Sequence, residues 1–274
     1  MAVIAISRQV AACGDEIAAE LAAVLNYTFI DRKTIESKIT ALGFPADKLE
    51  KYDERKPGFF ASLAKNRDEY LDYLQTAVLE AAAGGNCILI GRGAFAVLES
   101  VPNLLAVRFV APDSVRVKRL CTEFGWDEKQ AVQRIEESDT NRIGFHKSFF
   151  NLSVEDPAHF HVVLNTGFCT VHGAAFVLAE MCKKIITDEC ERKGKQKIAD
   201  LLTAQHLVNT LIFEHKLNIN FLRAVVSGST VTLQGVAESP IVAEKALAVA
   251  AQVLKDKEIR SGISVVQDFK AYSQ

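Results

Sequence analysis

The sequence predicts an α/β fold: a mainly parallel sheet flanked by helices, with a second, small α+β domain at the C-terminus. Three observations carry this. Short apolar runs alternate with segments whose apolar residues recur at helical spacing through about residue 190. That alternation is the order a parallel sheet needs. A charged, Gly-containing stretch, Glu191 to Lys197, then separates this pattern from a shorter one. Beyond it, two alternating runs flank Ser227-Gly228-Ser229, a hairpin signal.

Taken in order, Val3-Ile4-Ala5-Ile6 reads as a buried strand and Asp15 to Leu25 as a helix, with Ile17, Ala18, Leu21, Ala22 and Leu25 on one face. Between them lie Ser7-Arg8-Gln9-Val10-Ala11-Ala12-Cys13-Gly14. Strand, small-residue turn, helix is a phosphate-binding layout, because N–H groups at a helix start and the positive end of its dipole hold an anion. The loop lacks the Lys and the second Gly of G-x-x-x-x-G-K-[ST], and Asp15 stands where a cation is expected. Tyr27 to Asp31 is a second strand. Arg32 to Leu42 is a helix closed by Gly43 and Pro45. Residues 46–65 are mixed, broken by Lys56-Pro57-Gly58, and Asn66 to Ala83 is a long helix.

Cys87 to Ile90 is a buried strand with Gly91-Arg92-Gly93 at its end. Leu104 to Ala111 is another, and Pro112 opens a helix running to Phe124. Asp127 to about Phe149 reads as a charged helix or helix pair, His161 to Leu164 as a strand, and Val171 to about Cys190 as a helix. Past the expected domain boundary come a helix (Ile198 to Lys216), strands over Phe221 to Val226 and Thr230 to Val236, a helix from Ser239-Pro240 through Leu254, and a strand over Ile259 to Phe269. The expected domains are residues 1–192 and 193–274.

A net charge of −2 gives no global basic field for nucleic acid. Six scattered Cys without C-x-x-C spacing suit a reducing, cytoplasmic setting. The N-terminus shows no signal-peptide pattern, and no apolar run reaches the eighteen or so residues of a membrane helix. In open parallel sheets, ligands gather at the carboxyl ends of strands. Ser7-Arg8, Asp31-Arg32, Gly91-Arg92 and Asn165-Thr166 all fall at expected strand ends.

These residues resemble a family. Ile6-Ser7-Arg8-Gln9 with Gly14 and Glu16-Ile17-Ala18, Tyr27-x-Phe29-x-Asp31-Arg32, Asn86 to Ala94, Asp139-x-x-Arg142 and Asn165-Thr166-Gly167 together resemble the cytidylate kinase-like family, over about residues 1–190. The resemblance implies a P-loop kinase-type fold with a monophosphate-binding insertion and a mobile lid. It implies ATP with Mg²⁺, and transfer of the γ-phosphoryl group to a nucleoside monophosphate, CMP first. Arg92 and Arg32 would face the acceptor. Arg116, Arg119, Arg134 and Arg142 would lie on or beside the lid. Arg92, Arg119, Asp139 and Arg142 form the expected catalytic set. Ser7, Arg8, Gln9, Cys13, Gly14, Asp15, Asp31, Arg32, Gly91, Gly93, Arg116, Arg134, Asn165 and Thr166 form the binding set. The family usually carries Gly near positions 11 and 13 and a base at or beside 15. Here these are Ala11, Cys13 and Asp15. Residues 198–274 resemble a BON-type binding module, which implies a protein or surface partner.

Plainer readings stand beside these. Arg116 and Arg119 also fit a solvated helix face. Asp139 and Arg142 also fit an i,i+3 ion pair. Cys13 reads as a reactive thiol at a helix start or as a small filler, and Asp15 as a favourable first-turn acid. His159 and His161 have no acid or Cys partner at ligand spacing, so a structural role outweighs a metal. The rival to an active kinase is a weak or inactive kinase fold serving as nucleotide sensor or interaction scaffold.

Overall fold

The computed structural model describes residues 2–49, 52 and 64–266. The Lys56-Pro57-Gly58 break and the end of the strand expected to reach Phe269 lie outside these residues. In chain order the elements are β1 (Val3–Arg8), α1 (Gly14–Leu25), β2 (Thr28–Ile30), α2 (Arg32–Ala41), α3 (Ala46–Leu49), α4 (Ala64–Ala83), β3 (Cys87–Ile90), α5 (Ala94–Val97), β4 (Leu104–Val110), α6 (Asp113–Phe124), α7 (Glu128–Phe150), β5 (Val162–Asn165), α8 (Val171–Ile185), α9 (Asp188–Asn209), β6 (Ile219–Ser227), β7 (Thr230–Ala237), α10 (Pro240–Val253) and β8 (Glu258–Val265).

Five strands form one parallel sheet in the order β2-β3-β1-β4-β5. β1 is central because its residues are apolar on both faces, as a strand covered by helices on both sides requires. Val3 to Ile6 are at most 1% exposed. Ile4 and Ile6 pack with Ile17 and Leu21 of α1 and with Leu178 of α8. Because the strands are parallel, Arg8, Asp31, Gly91 and Asn165 come to the same sheet edge.

α7 is one helix of 23 residues rather than a pair. Its start is fixed by a capping box: the Asp127 carboxylate accepts from Gln130 N at 2.7 Å, and Gln130 Oε1 accepts from Asp127 N at 3.0 Å. This helix carries Asp139, Arg142 and His146.

The chain divides into two compact units, Met1–Lys197 and Ile198–Gln274. Glu191 to Lys197 is nevertheless not a break in secondary structure, since α9 runs straight through it. The interruption falls earlier. α8 stops at Ile185, and the hydroxyl of Thr187 accepts from Cys190 N at 3.3 Å, starting the next helix. Gly194 marks a close approach: a Cβ there would stand 1.8 Å from Asn103 Oδ1. The helix expected over Ile198 to Lys216 is the second half of α9 followed by a π-helical turn, Thr210–Glu214.

In the second unit, β6 and β7 are antiparallel and β7 and β8 parallel. Gly228 (φ 58°) makes the hairpin turn. Val231 and Leu233 of β7, Ala246 and Ala250 of α10, and Leu211 form the core. Among the described residues, no helix is long and apolar enough to cross a membrane.

Candidate functional site

The β1–α1 loop sits where the central strand ends and α1 begins. Ala11 (φ 57°) and Cys13 (φ 53°) both adopt left-handed backbone. These are the positions where Gly would be unstrained, and each L-residue there costs roughly 1–2 kcal/mol. The loop takes two left-handed residues without glycine at either position. Side chains from α6 hold it. Arg116 Nε donates to Val10 O at 3.0 Å, and Arg119 Nη1 donates to Ala11 O at 2.9 Å. Gln9 Oε1 accepts from Ala111 N at 3.1 Å. These guanidinium groups satisfy two carbonyl oxygens of the loop. At the start of α1 the first N–H groups have no i−4 carbonyl partner, so they can face a ligand.

The loop lines an open cleft of about 960 Å³. Its cations are Arg8, Lys118, Arg119 and Arg142, and its acids are Asp15, Glu16 and Glu123. Arg8 packs over Gly14, where a Cβ would meet its Cγ at 2.7 Å. Arg8 Nε lies 3.5 Å from the Asp15 carboxylate, whose side chain is 61% exposed. Arg119 also ties the loop to the end of β5, donating to Thr166 Oγ1 at 3.2 Å and to Thr166 O at 2.6 Å. Burial raises the Cys13 thiol above its ordinary value against the pull of Arg119. That shift works against a reactive thiolate at this helix start.

Arg116 is wholly buried. It grips Asp139 through two bonds, 2.9 and 2.8 Å, and Asp113 at 3.0 Å. It thus links the loop to α7. Asp139 engages Arg116, while Arg142 donates to Ser138 Oγ at 2.6 Å. The i,i+3 ion pair of the plainer reading gives way to these contacts.

A second cluster gathers at the end of β3. Gly91, Arg92 and Gly93 all have positive φ. A Cβ on Gly93 would collide with the Phe150 ring, so that Gly permits α7 to close on the strand end. Arg92 is 2% exposed. It donates to Tyr52 O at 2.9 Å, to Tyr70 Oη at 3.5 Å and to the Glu36 carboxylate. Arg32 shares the same carboxylate at 3.1 Å. Glu36 thus stands where an acceptor's anion was expected. Asp31 caps α2, accepting from Thr34 N at 2.8 Å and Thr34 Oγ1 at 2.7 Å. Those bonds hold its carboxyl below the ordinary range. Ser7 is buried and accepts from Arg108 Nη1 at 3.2 Å. A crevice of only about 10 Å³ lies between the clusters, lined by Ser7, Arg8, Gly91, Arg92, Arg142 and His146 among others. Arg8 and Arg142 therefore border both the open cleft and this crevice.

Other expected residues stand apart. Arg134 is half exposed and pairs with Glu137 at 3.5 Å, along its own helix. Asn165 Oδ1 accepts from Gly167 N at 2.8 Å, shaping the turn. Thr166 is buried, donating its N–H to Val110 O at 2.8 Å. His161 Nδ1 accepts from Ala106 N at 3.0 Å, a structural role. Among the described residues, no cluster of three or more His, Cys, Asp or Glu could hold a metal. Sequence reasoning missed Glu36, Tyr70, Arg108 and Lys118. Lys118 carried a signal, one residue before Arg119 on the same charged helix. The other three reach the site only through tertiary packing.

A family model described as the cytidylate kinase-like family matches residues 3–167. A curated cytidylate kinase of Pyrobaculum islandicum is 22% identical over 194 residues, covering 70% of this chain and 99% of its own length. The crystal structure of an uncharacterised protein from Eubacterium ventriosum shares the fold, with a TM-score of 0.55 at 19% identity over 67% of this chain and 98% of that one. The family match spans more than half of the chain and takes in the loop, both Arg clusters and α7, and on that ground the chain belongs to the cytidylate kinase-like family.

Proposed function

We propose that residues 1–192 form a nucleotide kinase domain that transfers the γ-phosphoryl group of ATP to a nucleoside monophosphate, CMP first. One observation carries this: Arg8 and Arg142 border both the loop-lined cleft and the crevice beside Arg92. A phosphoryl group passing from the cleft to the crevice would cross between two guanidinium groups. An acceptor phosphate oxygen would bond to the γ phosphorus as its bond to the β–γ bridging oxygen breaks, and ADP would leave with the electron pair. This chemistry needs positioning and charge stabilisation more than covalent help. The loop and Arg119 would hold the triphosphate, and Arg92 with Arg32 would receive the acceptor once Glu36 yields. Mg²⁺ takes oxygen ligands, commonly one or two carboxylates plus phosphates. Asp15 and Glu16 are the carboxylates at hand beside the loop. When bound, the ion would offset phosphate charge.

The second reading, a weak or inactive kinase fold acting as nucleotide sensor or scaffold, draws on Ala11, Cys13 and the Arg8–Asp15 pair. For residues 193–274 we propose a BON-like binding module. Its β-β-α-β order supports this, as unbridged cysteines support a cytoplasmic protein. The deciding experiment is a coupled phosphoryl-transfer screen of the purified chain across the common nucleoside monophosphates, with ATP or GTP. Transfer to at least one supports the kinase. Binding without transfer supports the sensor.

A further inference from the structure

Cys13 precedes α1 in left-handed backbone (φ 53°), and its side chain makes no capping bond. Glycine would take that backbone without strain, and Ser, Asp or Asn would cap the helix. A residue held in a sparsely populated conformation without a local bond points to a role beyond its own turn. The turn between β5 and α8 supplies a partner. Cys169 lies there, half-buried like Cys13, and both side chains pack on the core cluster that holds Ile4, Ile17 and Leu178. Arg119 holds the two segments side by side. Its Nη1 donates both to Ala11 O at 2.9 Å and to Thr166 Oγ1 at 3.2 Å, and its Nη2 donates to Thr166 O at 2.6 Å. Ala11 is two residues from Cys13, and Thr166 is three from Cys169. The two thiols are close enough to interact, Cys169 being among the groups that raise the Cys13 thiol. Cys169 Sγ reaches Asn165 O at 3.7 Å, a weak bond that ties it down little.

We propose that Cys13 and Cys169 are a modification site: they form a reversible disulfide, by exchange with a small-molecule disulfide of the glutathione class, that weakens the loop's hold on phosphates. The pairing stands on the two cysteines, while its effect on phosphates rests on the kinase-type reading of the loop. Cys169 acts first, since burial works against a Cys13 thiolate. Its thiolate attacks one sulfur of glutathione disulfide, the S–S bond breaks, and one glutathione leaves as thiolate with the electron pair. Cys13 then gives its proton to solvent and attacks Cys169 Sγ, and the second glutathione leaves. Two protein thiols are oxidised, and one small disulfide is reduced to two thiols. Cys13 lines the open cleft. The link would draw it toward the β5–α8 turn, and with it the N–H groups that open α1. Intracellular thiols are kept reduced by default, so such a link forms under oxidation and reverses after it.

The test incubates the full chain with glutathione disulfide and then alkylates the remaining thiols. Expected in mass spectrometry of the non-reduced digest is a peptide pair joined through Cys13 and Cys169, absent after dithiothreitol. Calorimetric affinity for inorganic tripolyphosphate should fall roughly tenfold in the oxidised chain, about the effect of one lost hydrogen bond to a charged group, and return on reduction. Cys169→Ser should bind tripolyphosphate as the reduced wild type does, before and after glutathione disulfide. Cys190→Ser, which removes the thiol lowered by Thr187, should still form the link and still lose affinity. Absence of the joined peptides overturns the pairing. An equal loss of affinity in oxidised Cys169→Ser overturns its control of phosphate binding, because capping of another thiol would then be the cause. A joined chain that binds tripolyphosphate unchanged does the same. If the reduced wild type binds no tripolyphosphate, the loop reading fails and the control of phosphates with it, while the pairing is judged on the joined peptides alone.

Discussion

Asp15→Asn is the substitution whose effect is best bounded by the structure. Its carboxylate lies 3.5 Å from Arg8 Nε, and its side chain is 61% exposed. Two unit charges about 4 Å apart interact by ~4 kcal/mol at an effective dielectric of ~20. Exposure reduces such a pair to the ~0.2–1 kcal/mol of surface ion pairs. Asp15 therefore contributes little to the fold, and Asp15→Asn should cost under ~1 kcal/mol, including its first-turn dipole interaction. Toward an anion the effect is larger. The substitution removes one like charge beside the loop and one carboxylate that competes with a ligand for Arg8. A gain of ~1–2 kcal/mol corresponds to roughly five- to thirtyfold tighter binding. The assay is calorimetric titration with tripolyphosphate in the presence of a chelator, which keeps any metal bound by Asp15 out of the comparison. Asp15→Arg should gain more than Asp15→Asn. Both gains should shrink at about 1 M salt, where the Debye length falls to ~3 Å. Unchanged affinity with a lowered melting temperature would refute the reasoning and leave Asp15 as a helix-start acid.

Arg116→Ala should destabilise the chain by ~3–5 kcal/mol in denaturant unfolding, because it strands Asp139 and unties the loop. Arg134→Ala, on an exposed face, should stay within about 0.5 kcal/mol, and similar losses in the two would contradict these assignments. Asp31→Ala should cost ~1 kcal/mol at neutral pH as a lost cap. The native Asp31 carboxyl is depressed by its bonds to Thr34, so its contribution is present above the ordinary carboxylate value of ~4. It is lost as pH falls through the lower native value, and a pH-independent difference between mutant and wild type would count against the cap. In timed alkylation near neutral pH, Cys190, whose thiol is lowered chiefly by its Thr187 hydrogen bond, should label before Cys13, and Cys87, pushed up to about 12 by burial, last. We further propose that the two units fold independently. A 198–274 fragment keeps the core around Leu211, Val231 and Leu233, so it should unfold cooperatively by circular dichroism. A disordered fragment would refute this.

The sheet was legible because its signals are local. Val3 to Ile6, Cys87 to Ile90 and Leu104 to Ala111 are unbroken apolar runs, and runs of that kind become buried parallel strands. Parallel strands then bring Arg8, Asp31, Gly91 and Asn165 to one edge. The partners of those residues were not legible. Arg92 meets Glu36, Tyr52 and Tyr70 across separations of 56, 40 and 22 residues, and no spacing rule spans such distances. The departures at Ala11 and Cys13 could be seen in the sequence. That their backbones still take the left-handed form could not, because Arg116 and Arg119 hold the loop from another helix. The unit division falls at Lys197, the end of the stretch read as the domain boundary. That the helix is unbroken there was not legible, because the missing Cβ of Gly194 serves the contact with Asn103.

The most direct test of kinase function is phosphorus NMR of the purified chain incubated with Mg²⁺, ATP and CMP. Expected is loss of the ATP γ signal matched by growth of the CDP β signal, with ADP formed in equal amount, and near-abolition of that transfer in Arg142→Ala with melting temperature retained. Release of inorganic phosphate without diphosphate product, or no loss of the γ signal with any common nucleoside monophosphate, would contradict phosphoryl transfer between the two Arg clusters.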